Sequence, residues 1–284
     1  MWFWLSLTAI LFWSGSDVLS KVGSNPDDIY SHWKMVMAVG AVMGLHAIYC
    51  IIQGAQFALA DIITYLPASG LYIFSMILGY AGLRYVKLSL SSPVCNSSGA
   101  VAAMLCFVFL KETMTAVQLG AVSLICAGVF GLSLIENKNE NKATGFIPLV
   151  FPILYCLIDG LGTFTDALML DTKIAEEAAN IAYELTFLGM AIFAFIYVVI
   201  IKKQRILINM ERPKLAAAVC ETAGQFAYVY AIGANAIVAA PMISSYCVAS
   251  LIWSHIFLKE RLTKSQYITV AMALAGIVIL GLFE

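Results

Sequence analysis

The chain has 284 residues, 62% of them hydrophobic and 12% charged, and its net charge is −1. Soluble domains run near half apolar and a quarter charged, so this composition, with a mean hydropathy of +0.90, excludes a water-soluble globule and points to a membrane protein. The nearly neutral balance gives no footing for a nucleic-acid partner.

The length allows about ten spans of ~20 residues with short connectors. The opening Met1-Trp2-Phe3-Trp4 has no basic n-region, so the first apolar run is expected to be a retained helix and not a cleaved signal. Candidate spans follow at about 2–21, 31–52, 61–85, 89–110 and 116–134. A polar linker, Glu136 to Lys142, then divides the chain, giving a first unit at 1–135, a linker at 136–144 and a second unit at 145–284. The second unit repeats the rhythm at about 145–168, 177–201, 213–232, 234–258 and 264–283. Each span is expected to be helical, because lipid offers no partner for backbone N–H and C=O groups. The seven cysteines lie in apolar runs without CxxC spacing and read as buried small hydrophobes. His32, His46 and His255 show no metal-ligand spacing, so neither a metal nor a cofactor is expected.

The two units are copies. Pro93, Ser97, Phe109-Leu110-Lys111-Glu112, Thr115, Gln118, Val122, Ala127 and Gly128 recur as Pro241, Ser245, Phe257-Leu258-Lys259-Glu260, Thr263, Gln266, Val270, Ala275 and Gly276, each 148 positions on and without a gap. Such fixed-interval recurrence marks an internal duplication. Five helices per copy is an odd number, so the second copy enters the membrane upside down. The expected fold is therefore an all-α membrane protein of ten transmembrane helices, built as two inverted five-helix repeats. Counting Lys and Arg on alternate faces puts fourteen on one side and only Lys111 and Lys173 on the other. The rich side is assigned to the cytoplasm, with both termini outside. Pro93 and Pro241 are read as first-turn prolines of their helices, with a hinge as the functional alternative.

The repeated proline, the Phe-Leu-Lys-Glu close, the Gln shortly after it and the Ala-Gly pair resemble the drug/metabolite transporter superfamily, in particular its EamA-type ten-helix branch. That resemblance implies a central cavity lined by the first four helices of each half, with the fifth and tenth peripheral. It also implies export or exchange of small metabolites such as amino acids, amines or sugars without ATP. No GxxxxGK[ST] phosphate loop is present.

A charge at the bilayer centre costs roughly 2.5–3.5 kcal/mol on insertion scales, so each one calls for a reason. Asp17 shares a stripe with Trp13, Ser20 and Lys21; it is a candidate for substrate or proton binding, against a structural pairing with Lys21. Asp159, Thr163 and Asp166 form a second stripe, with a solvated helix end as the plain alternative for Asp166. Ser16-Asp17 and Thr165-Asp166 lie 149 apart, which suggests that the two aspartates are repeat mates facing each other across the cavity. Glu184 sits beside Tyr183 and has a shallow position as its alternative, while Glu221, Gln225 and Tyr228 form a third stripe. Trp13, Tyr80, Tyr183, Tyr228 and Trp253 are candidate cavity walls, against lipid-facing or interfacial packing. Asn96 is a candidate hydrogen-bonding group or a helix-packing one.

The expected cavity is thus acidic and aromatic, which favours a cation or amine. A carboxylate withdrawn from water holds a proton more readily, which suits proton coupling. The function expected is secondary active transport of a small polar metabolite, amine- or amino-acid-like, by alternating access. A lipid-carrier or nucleotide-sugar flippase would want basic residues mid-span, and an enzyme would want a clustered nucleophile and base. A structural or sensory protein would not need five embedded carboxylates. The expected partners are the substrate, protons and membrane lipids, with the chain a monomer or homodimer in a cell membrane.

Overall fold

The computed structural model describes residues 1–25, 27–83, 85, 88–140, 150–206, 208–257 and 263–283. Every regular element among them is a helix: α1 (Trp2–Gly23), α2 (Ser31–Ile52), α3 (Leu59–Gly82), α4 (Leu88–Asn96), α5 (Ser98–Leu105), α6 (Ala116–Glu140), α7 (Val150–Thr172), α8 (Glu176–Phe195), α9 (Ile208–Ser244), α10 (Tyr246–Phe257) and α11 (Lys264–Leu282). Short π-helical turns, Cys106–Leu110 and Ile196–Ile201, extend α5 and α8. Eight helical stretches among the described residues are long and apolar enough to cross a membrane, and Ala116–Leu132 is a shorter apolar one.

One of the eight, Glu211–Phe257, is 47 residues long. At ~1.5 Å per residue a straight helix of that length would reach about 70 Å, more than twice the hydrocarbon core. The chain breaks it at Asn235, whose φ of −168° and ψ of 82° are extended, so α9 is two helices joined there. Glu112, from the first copy of the Phe-Leu-Lys-Glu motif, accepts a hydrogen bond at 3.0 Å from the N–H of Ile237, capping the helix that restarts after the break.

The duplication visible in the sequence has matching local structure. Thr115 and Gln118 exchange reciprocal bonds at the start of α6: the Thr115 N–H donates to Gln118 Oε1 at 3.0 Å and the Gln118 N–H to Thr115 Oγ1 at 3.3 Å. Thr263 and Gln266 repeat this capping box at the start of α11, at 2.6 and 3.4 Å. Helix–helix packing follows the same rule. α1 packs on α9 and α3 on α7, α2 on α8, and α6 on α11, a pattern unchanged when the two halves are exchanged. At the last pair, a Cβ added to Gly128 would lie 2.8 Å from the carbonyl of Thr269, and one added to Gly276 would lie 2.7 Å from that of Ala121. Positions 121 and 269 are themselves 148 apart, so the repeated glycines are the two ends of one close helix crossing.

Three expectations need correction. Pro93 lies inside α4, five residues after its start at Leu88, and Pro241 lies inside the restarted part of α9. The prolines therefore act on helix interiors, where each removes a backbone hydrogen bond. Both helices are interrupted four residues later, at Ser97 and Ser245, which separate α4 from α5 and α9 from α10. The Ser97 hydroxyl donates back to the Pro93 carbonyl at 3.1 Å, and that of Ser245 to the Met242 carbonyl at 2.6 Å. Secondly, α6 runs on to Glu140, through the first part of the expected linker, because Glu and Lys sustain a helix beyond the apolar span. Thirdly, α7, the sixth expected span, reaches Thr172, four residues beyond its expected end at 168, while 145–149 lie outside the described residues. Of the second Phe-Leu-Lys-Glu run, Leu258, Lys259 and Glu260 lie outside the described residues, as do Arg84, Lys87, Lys142 and Arg261 among the basic positions counted for orientation.

Candidate functional site

Two adjoining cavities lie at the centre of the helices. Trp13, Asn96, Asp159, Tyr183, Gln225 and Tyr228 are among the walls of the first, and Ser16, Asp17, Tyr80 and Ser92 among those of the second. Met76, Tyr155, Glu221 and Tyr246 line both and form the partition. The walls come from α1, α3, α4, α5, α7, α8, α9 and α10; α6 and α11 contribute none to either cavity, and neither does α2, contrary to the expectation for the first four helices.

Three carboxylates face these cavities, each held by hydroxyls from other helices. Asp17 on α1 accepts from Ser92 at 2.5 Å and from Ser250 at 2.8 Å. Its i+4 neighbour Lys21 donates to the carbonyl of Leu83 at 2.9 Å. Asp159 on α7 accepts from Ser98 at 2.8 Å and Ser75 at 3.4 Å. Glu221 on α9 accepts from Ser16 at 2.7 Å. Hydroxyl donors of this kind satisfy a withdrawn carboxylate without neutralising it. No Lys or Arg lines either cavity among the described residues.

Two cavity groups among the described residues are not satisfied. Gln225 is 2% exposed, lines the first cavity one turn from Glu221, and its Nε2 has no hydrogen-bond partner. The buried hydroxyl of Tyr80 in the second cavity also lacks a partner. An unmet buried donor is costly, so both are available to a ligand. Around them stand aromatic walls. The Trp13 ring lies 4.9 Å from that of Tyr228 and 5.7 Å from that of Tyr246, and Trp13 Nε1 donates to the Glu221 carbonyl at 3.3 Å. Asn96 also faces the first cavity, with its Nδ2 bonded to the Ser92 carbonyl at 2.8 Å.

Three expected residues lie elsewhere. Asp166 is completely buried and lines neither cavity, so it does not sit at a solvated helix end. It accepts from Tyr65 at 2.5 Å and from Tyr72 at 3.5 Å, and Tyr72, Tyr228 and Thr163 share further hydroxyl bonds. Glu184 is also fully buried within the protein and lines neither cavity. It is held by His46 at 2.8 Å and by Asn180 at 3.1 Å, in the contact of α2 with α8. Trp253 donates from Nε1 to Ser14 at 3.1 Å and stacks on Phe257, outside both cavities.

Sequence reasoning missed Tyr65, Tyr72 and Ser75 on α3, Ser98 on α5, Tyr155 on α7, Tyr246 on α10 and Ser250, the second partner of Asp17. A signal existed on α3, where Tyr65, Ser69, Tyr72, Ser75, Met76 and Gly79 recur at helical spacing along one face.

The fold and the site together define a multi-pass, all-helical membrane protein with two repeats around a central polar cavity. A sequence model of the EamA-like transporter family matches residues 1–134 and 151–282, so the chain belongs to that family. No curated protein matches. Among solved structures, a chain described only as a crystal structure of a protein is similar with a TM-score of 0.68 and 13% identity, over 98% of this chain and 96% of that one. At that identity the likeness concerns fold alone.

Proposed function

We propose that the chain is a secondary active transporter with ten crossings in two inverted repeats. Splitting Glu211–Phe257 at Asn235 and counting α6 with the other apolar helices supports that number. An inverted pair places the site near the midplane between the halves, where rocking of one half on the other exposes it alternately. The substrate in this reading is a small, polar, amine- or amino-acid-like metabolite, and protons are the coupling ion. The termini lie outside a cell membrane, on the basic-residue asymmetry.

The observation that carries the reading is the charge of the cavities. Asp17, Asp159 and Glu221 face a space with aromatic walls and no cationic side chain among the described residues. Such a space attracts a cation through charge and through cation–π contact with Trp13, Tyr228 and Tyr246. The unpartnered Gln225 amide adds one polar contact for orientation. Asp17 and Glu221 suit proton exchange because substrate and proton would compete for the same carboxylates.

The test is a thermal-shift screen of purified protein against amines, amino acids, sugars and anions. Stabilisation by amines or amino acids, weakened in Asp159→Asn, is the expected result. Stabilisation by anions alone sinks the cationic reading.

A further inference from the structure

Asp166 is fully buried and lines neither central cavity, yet it accepts a hydrogen bond from Tyr72, which lines the first. We propose that Asp17 and Asp166 are the latches of two gates, one at each end of the central cavities, and that transport opens them in alternation. The alternation rests on the transporter reading; the placement of the latches rests on geometry.

Helix α3 measures the separation. Tyr65, near its start, donates to Asp166, and Tyr80, near its end, lines the cavity that also holds Asp17. Fifteen residues of helix separate those tyrosines, roughly 22 Å. The two aspartates therefore do not face each other across one space, as the repeat offset suggested, but close opposite ends of it.

Each latch joins the halves. Asp166 on α7, in the second half, is bound by Tyr65 and Tyr72 of α3 in the first. Tyr72 also meets Tyr228 at 2.5 Å, and both reach Thr163, at 3.2 and 3.1 Å. Tyr72, Tyr228 and Thr163 form the floor of the first cavity at that end. On the far side, Ala167 and Asp171 line another hollow together with Glu112 and the turn around Asn235. The Tyr–Asp166 cluster thus stands between the central cavity and that hollow. At the other end, Asp17 on α1 is bound by Ser250 of α10, across the halves, as well as by Ser92 of α4.

The carboxylates lie 149 apart, one off the main register, and their partners have no like counterparts. At the 148-residue offset, Tyr65 and Tyr72 correspond to Pro213 and Cys220, while Ser92 and Ser250 correspond to Ala240 and Ala102. Asp17 is thus latched by two serines and Asp166 by two tyrosines. Hydroxyls reach Asp166 at 2.5 and 3.5 Å and Asp17 at 2.5 and 2.8 Å, so both latches are engaged in this structure.

Hydrogen–deuterium exchange on the full chain in detergent or proteoliposomes tests this. Asp166→Asn and Tyr65→Phe should speed exchange roughly tenfold in peptides from 59–72 and 160–172, leaving 14–20 and 88–98 little changed. Asp17→Asn should do the reverse. Loosening of both ends by either variant, or of neither, overturns the two-gate assignment. Tyr65→Phe keeps the ring and its packing, so it decides the matter should Asp166→Asn fold poorly. A failure of amines to stabilise the wild-type protein would remove the substrate reading and leave this exchange pattern as a separate result.

Discussion

The crossing of α6 and α11 gives a sharp prediction, because both repeats contribute the same glycine to it. Ordinary contact with an added Cβ begins near 3.4 Å, whereas at Gly128 the Thr269 carbonyl is 2.8 Å away and at Gly276 Ile125 Cγ1 is 2.6 Å away. Alanine at either position therefore forces the helices apart by about 0.6 to 0.8 Å (3.4 less 2.8, or less 2.6). Overpacking of this kind costs about 1–3 kcal/mol. A single outward shift relieves both contacts, so Gly128→Ala with Gly276→Ala should cost less than the two singles combined, by at least ~0.5 kcal/mol. Denaturation of the four proteins in detergent, followed by tryptophan fluorescence, gives all the values needed. Gly120→Ala on the same helix is the control: no atom lies within 4 Å of its added Cβ, and it should stay within about 0.5 kcal/mol of wild type. Neutral single variants, or strict additivity in the double, would refute the shared-crossing argument.

Other outcomes follow from single contacts. His46→Ala leaves the buried Glu184 carboxylate without its main partner and should destabilise by about 1–3 kcal/mol, while His46→Leu with Glu184→Leu should recover part of the loss; equal damage in both would contradict it. Gln225→Leu removes a donor that has no partner, so the melting temperature should hold or rise while stabilisation by amino acids falls about tenfold; an unchanged ligand shift would count against its role. In the connector between α1 and α2, burial pushes the Asp28 carboxyl up, but the hydrogen bonds from Lys34 and the Tyr30 N–H, and the charges of Lys34 and Lys214, leave it below its ordinary 3.8. A depressed folded value means that its stabilisation is present above about pH 4 and lost as pH falls through the folded value. The stability gap between wild type and Asp28→Asn should accordingly close below pH ~3.8, and a gap that widens there would reverse the sign.

Much of this architecture was legible because it is periodic. The apolar spans and the 148-residue repeat located the helices, and the repeated Thr115–Gln118 and Thr263–Gln266 pairs proved to be two capping boxes. The acids on α1, α7 and α9 were legible because charge in an apolar run is costly. What sequence did not reveal was pairing across helices. Glu184 meets His46 on α2, and Asp166 meets tyrosines on α3; in sequence Glu184 was only a neighbour of Tyr183 and Asp166 one acid of the Asp159 stripe. Tyrosine and serine were harder still to single out, since both are common in membrane helices and become informative only when a carboxylate faces them. The prolines misled because a first-turn position and an interior one look alike until the helix start is known, and Leu88 is an unmarked start.

Proton-driven flux in proteoliposomes tests the central claim most directly. With an amine or amino acid that stabilises the protein as substrate, an imposed pH gradient should drive transport in wild type. Asp17→Asn and Glu221→Gln should insert and fold normally yet lose the response to the gradient. Full coupled transport in both variants would contradict the assignment of these carboxylates.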